Sequence, residues 1–138
     1  MRSIVCLAAE GVIRDAQTNN ISIFNILEGV TAEGFPLFIQ RVTFFVFWER
    51  DAEDPQQISG RFRVEVAGRE LHAQPIHINF GNVLKNRTII VTQGLVIPQP
   101  GSLTFAITLD SGLTASYTVP ANAVASAVQA DTTSSPNT

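Results

Sequence analysis

Apolar and polar residues alternate with a period of two along much of this chain. Leu103, Phe105, Ile107 and Leu109 alternate with Thr104, Ala106 and Thr108, and Leu113, Ala115, Tyr117 and Val119 alternate with Thr114, Ser116 and Thr118. Strands with one covered face have this pattern. Between the two runs, Asp110-Ser111-Gly112 fits a three-residue hairpin loop with Gly in the left-handed position. That loop pairs Leu109 with Leu113, Ile107 with Ala115, Phe105 with Tyr117 and Leu103 with Val119. The opposite face becomes a ladder of Thr and Ser.

A second pattern occurs at Arg41-Val42-Thr43-Phe44-Phe45-Val46-Phe47-Trp48-Glu49, where aromatic and β-branched residues fill both alternating sets. Strands favour such residues. With both faces apolar, the segment is expected to be central and covered on both sides. Further strands are expected at 3–9, 21–30 and 88–97. A long polar connection is expected over 11–20, a break at Gly34-Phe35-Pro36, and residues 35–39 lying across one end of the sheets. Phe62, Val64 and Val66 alternate with Arg61, Arg63 and Glu65, and Gly68-Arg69 suits a type II′ turn. This turn pairs Ala67 with Glu70, Val66 with Leu71 and Val64 with Ala73, and sets Glu65 against His72 on the wet face. Beyond Pro75 the apolar parity changes to Ile76, Ile78 and Phe80, so a bulge or strand switch is expected at that proline. Lys85-Asn86-Arg87 reads as a basic loop tip, and Pro120 as the end of the sheet.

About eight short strands separated by turn signals, without a convincing long helix, predict an all-β fold. The expected architecture is an antiparallel two-sheet β-sandwich, immunoglobulin-like or a related Greek key. It would occupy residues 1–120. Residues 121–138 would be a C-terminal extension, with a short helical turn and then a disordered tail, Asp131–Thr138, rich in Thr and Ser.

Composition narrows the function classes. The 138 residues suffice for one domain, and the net charge of −3 argues against a nucleic-acid surface. The apolar runs are too short to cross a bilayer as helices, so no membrane partner is expected. The apolar run after Arg2 is short and is broken by Glu10, which does not suit a signal peptide. A mature cytoplasmic N-terminus is expected. The lone Cys6 rules out an internal disulfide within one chain and reads as a small buried hydrophobe.

Candidate chemistry is sparse. Glu49, Asp51, Glu53 and Asp54 crowd one loop, but the Gly and terminal Glu of an EF-hand are missing, so a solvated loop is expected and no metal. His72 and His77 are five apart, on opposite faces of a regular strand, and no acidic ligand follows at useful spacing. The carboxylates Asp15, Asp51, Asp54 and Glu65 have no spacing that brings two together for acid–base work. No cofactor motif is present.

The stretch from Ala9-Glu10-Gly11-Val12-Ile13-Arg14-Asp15 through Thr18-Asn19-Asn20-Ile21-Ser22-Ile23-Phe24-Asn25-Ile26-Leu27-Glu28 and Gly34-Phe35-Pro36 to the aromatic strand resembles a bacterial domain family of unknown function. The likeness runs on through the closing hairpin and covers about residues 3–120. It implies a stand-alone cytoplasmic β-domain and transfers no activity. The expected function is a non-catalytic protein-binding or assembly module, with a protein partner or self-association. Its candidate interface is Phe45 and Phe47 with the ladder Thr104, Thr108, Thr114, Ser116 and Thr118. The alternative is a sandwich that binds a small ligand or carbohydrate through Trp48, Asn19, Asn20 and Asn82. An enzyme is the least expected class.

Overall fold

The structure is a computed structural model and describes residues 1–124. These residues form nine strands: β1 (Arg2–Arg14), β2 (Ile21–Ile26), β3 (Val30–Ala32), β4 (Leu37–Glu49), β5 (Gln57–Val66), β6 (Arg69–Asn79), β7 (Lys85–Ile97), β8 (Gly101–Leu109) and β9 (Thr114–Ala123). One sheet has the order β2-β1-β4-β7, the other β3-β9-β8-β5-β6. All pairings are antiparallel except β3 with β9. The fold class read from the alternation is therefore correct. No helix among the described residues is long and apolar enough to cross a membrane.

The core lies between the two sheets. Val42, Phe44, Val46 and Trp48 of β4 meet Phe62, Val64 and Val66 of β5 and Leu103, Phe105 and Ile107 of β8, all buried. The Phe44 ring stacks on Phe62 and on Phe105, with centroids 5.5 and 6.0 Å apart. Such pairs add about 0.5–1.5 kcal/mol beyond area burial. The Trp48 indole N–H donates to Thr88 Oγ1 at 2.9 Å, which satisfies its one polar atom inside the core.

The closing hairpin has the register that its turn dictates. Ile107 pairs with Ala115, Phe105 with Tyr117 and Leu103 with Val119. Gly112 takes φ +96° and its N–H donates to Leu109 O. Pro120 does not end the sheet, because β9 runs on to Ala123 and pairs there with β3. The helical turn expected after 121 is thus strand at first, and the rest of it, with the tail, lies outside the described residues.

The β5–β6 hairpin departs from expectation by one residue. Its turn is Ala67-Gly68, at φ +49° and +81°, and Val66 pairs with Arg69. Positive φ at both central positions is a type I′ turn, whose twist matches the flanking strands. Ala67 is therefore forced into a left-handed conformation that its sequence does not advertise. A bulge follows at once, since Glu65 pairs with Glu70 but Val64 with His72. This bulge, not Pro75, resets the apolar parity, and the ladder passes Arg61↔Pro75 without a shift. His72 is turned inward beside Phe62, with Nε2 2.7 Å from Gln74 Oε1, and does not meet Glu65.

Other strands are longer than their patterns imply. β4 starts at Leu37 and β7 at Lys85, so neither 37–39 nor 85–87 is a loop. β1 extends to Arg14, leaving only a short turn before β2, and the strand expected over 21–30 is divided into β2 and β3.

Candidate functional site

β1 holds to β4 from Arg2↔Glu49 as far as Ala9↔Thr43 and no further. There it leaves the sheet plane, and the β1–β2 hairpin turns back over the outer face of β4. Two hydrogen bonds fix its path. Thr43 Oγ1 donates to Glu10 O at 3.1 Å, and Arg87 Nη2 donates to Asn19 O at 2.7 Å. Arg87 pairs with Phe47, the Arg2 end of β1. A straight β1 would carry Asn19 away from it; the contact requires the hairpin tip to double back. Gly11 permits a tight pack within the hairpin, since a Cβ there would lie 2.4 Å from the Phe24 ring.

The folded-back hairpin covers residues that alternation places on the far side of β4 from the core. Thr43 and Phe45 are 1% and 2% exposed, although Phe45 is not part of the core between the sheets. On the hairpin Val12, Ile21 and Ile23 are half-buried while Ile13 and Phe24 are exposed, so one hairpin face is down and the other is out. Phe47 is half-buried, with Lys85 Nζ 5.9 Å from its ring centroid. Phe45 is thus occupied within its own chain, and Phe47 only partly so.

The departure of β1 leaves a slot. Beyond Thr43, residues 37–42 of β4 pair with β7 on one side and with no strand on the other among the described residues. An open cleft of about 880 Å³ begins at this edge and reaches across β4 to Gln93 and Gly94 of β7. Phe38, Ile39, Gln40, Arg41 and Val42 form one wall, the Asn25–Gly29 stretch another, and Ala9 and Glu10 the closed end. Ile39 and Leu27 connect its floor to the core. Phe38 stands at its rim, 62% exposed. Glu10 accepts a hydrogen bond from Asn25 Nδ2 at 2.7 Å. Arg41 and Glu28 have no ion-pair partner among the described residues.

Exposed apolar side chains concentrate on this side. Ile4, Ile13, Phe24, Ile26, Phe38, Ile89, Val91 and Val96 all belong to the four-stranded sheet, and none of the exposed large hydrophobics belongs to the five-stranded one. The outer face of the five-stranded sheet carries the Thr/Ser ladder, and its hydroxyls largely bond one another. Thr104 Oγ1 is 2.9 Å from Thr118 Oγ1, and Thr108 Oγ1 is 3.2 Å from Thr114 Oγ1. Ser116 pairs with Ala106 between them. The ladder and the two phenylalanines therefore lie on opposite sides of the molecule and form no common surface.

The remaining candidates are scattered. Trp48 is in the core, Asn19 and Asn20 are at the hairpin tip, and Asn82 is in the β6–β7 connection. The acidic loop is organised by Arg50, which is 4% exposed. Its guanidinium donates to the carbonyls of Val83, Asp51, Asp54 and Gly81 and lies 5.6 Å over the Phe80 ring. Asp54 accepts from Asp51 N at 2.8 Å and from the terminal amine at 2.9 Å. The Asp51 N–H first, and the terminal amine next, lower its pKa. Asp15 is lowered by the Thr18 and Gln17 N–H groups, and Glu65 pairs with Arg63. Burial raises the Cys6 thiol to about 11, so it is a poor nucleophile at neutral pH. Among the described residues no three His, Cys, Asp or Glu side chains converge as metal ligands.

A small all-β domain with an open strand edge in a cleft is the class these features define. The chain belongs to a family of unknown function, DUF6941, whose model matches residues 4–122. No significant match to a curated protein or to a solved structure was found.

Proposed function

We propose that this domain is a protein-binding module that accepts an extended peptide segment as an added strand along residues 37–42 of β4. The observation that carries the reading is that β1 leaves β4 at Ala9, which opens a slot beside backbone that, among the described residues, is paired on one side only. Added strands gain affinity from main-chain hydrogen bonds and specificity from pockets for alternate side chains. Phe38 and Ile26 supply apolar rim, and Arg41 and Glu28 supply unpaired charge, so the slot discriminates as well as holds. The parallel β3–β9 pair and the crossing between sheets favour an immunoglobulin-like Greek key, and we place the module in a bacterial cytoplasm on the sequence resemblance described above.

The test is selection from a displayed library of linear peptides, followed by calorimetry and hydrogen exchange on the free and bound protein. Bound peptide is expected to protect amides within 37–42. Absence of binders, or protection confined to the five-stranded sheet, overturns the proposal.

A further inference from the structure

The two sheets have four edges, and three are guarded. β3 is three residues long. β2 is six residues long and ends beside Asn25, which has φ +54°. β6 carries Arg69, Glu70 and Pro75 and is broken by the bulge at Leu71. Short length, charge, proline and bulges are the devices that keep sheet edges from pairing with other chains. β7 has none of them in its middle. It spans 13 residues, pairs only with β4 among the described residues, and carries no charged residue and no proline from Thr88 to Ile97. Its only cations are at the beginning, and both are drawn over the sheet face. Lys85 lies over the Phe47 ring and Arg87 is bound to Asn19 O. Gly94, at φ +73°, interrupts regular extension only after residue 93.

We infer that the open edge of β7 is the docking site for β7 of a second copy, antiparallel about a twofold axis, which joins two four-stranded sheets into one of eight strands. Twofold pairing of this edge is self-complementary. With Ile90 on the axis, Ile89 of one copy faces Val91 of the other twice over, Thr88 faces Thr92, and Arg87 faces Gln93. No like charges meet, which matters because directly opposed like charges destabilise strand pairs. Ile89 and Val91 are 46% and 45% exposed in the single chain, and together they form an apolar row across the junction. A closed twofold contact also consumes the edge, so it stops at two copies. This inference does not depend on the β4 slot, which is a different edge of a different strand.

The experiment is sedimentation equilibrium over a wide concentration range on the full chain, with hydrogen exchange at the two extremes. A monomer–dimer equilibrium is expected, with amides of 87–93 slowed at high concentration. Val91→Lys should place a charge opposite Ile89 and convert the dimer to a monomer with an unchanged circular dichroism spectrum. Ile89→Lys is the second variant, and Thr104→Lys on the opposite sheet should leave the dimer intact. A monomer at every concentration overturns the proposal, as does a dimer whose β7 amides exchange at the same rate throughout. A dimer that persists in both folded lysine variants overturns it too.

Discussion

Replacing Phe45 by Ala tests whether the β1–β2 hairpin is a covering layer or an arm held off the sheet. Phe45 is 2% exposed but lies outside the core between the sheets, so its burial depends on the hairpin above it. A phenylalanine buries about 150–250 Å². At about 25 cal/mol per Å² that is roughly 4–6 kcal/mol of transfer free energy for the whole side chain. Ala keeps part of it, and measured Phe→Ala losses in cores are about 3–5 kcal/mol. For a domain of this size about 3–5 kcal/mol corresponds to a fall of roughly 10–20 °C in Tm. Phe47, half-buried, should lose about half as much, and Ile89, exposed, under about 1 kcal/mol. Urea unfolding with a common m-value gives all three numbers. A Phe45→Ala loss below about 1 kcal/mol would mean that the outer face of β4 is open, and the covering-hairpin account would fail.

Arg50→Met should destabilise by about 2–4 kcal/mol in urea unfolding, because charged donors to four backbone carbonyls are removed from a buried site. Ala67→Gly should raise stability by up to about 1 kcal/mol in the same assay, since a Cβ is costly at φ +49°. Asp54 has a lowered folded pKa, so its stabilising contribution is present above its unfolded value and is lost as pH falls through the folded one. The acid limb of a Tm-against-pH curve should accordingly flatten in Asp54→Asn. With the thiol raised to about 11, Cys6 should react with a disulfide reagent at pH 8 about a hundredfold more slowly folded than in denaturant, read by absorbance.

The alternation made the strands visible, and wherever a turn contained its expected residue the register followed as well. Leu109 to Leu113 is the clear case, because Gly112 marks the left-handed position. At Ala67 the left-handed residue is not a glycine, so the sequence points to a turn one residue later, and the parity change points to a bulge or strand switch at Pro75 where the bulge is in fact at Leu71. Phe45 and Phe47 were recognisable as a second apolar set, but the cover is made by a hairpin from elsewhere in the chain, between Glu10 and Ile26. Its path depends on Thr43–Glu10 and Arg87–Asn19 bonds that no local pattern announces. The slot beside residues 37–42 was invisible for the same reason, being defined by where β1 ceases to pair. The Thr/Ser ladder was legible as a surface, but its hydroxyls are engaged with each other.

The parallel pairing of Val30–Ala32 with Ala121–Ala123 ties an early strand to the last described one. During synthesis β3 must wait for nearly the whole domain to emerge from the ribosome before its mate arrives. β4, which needs β7 as its neighbour, waits about half as long. The sheet is therefore expected to close only once β9 has emerged, and the vulnerable interval, with apolar strands made and unpartnered, spans the synthesis of β3 through β9.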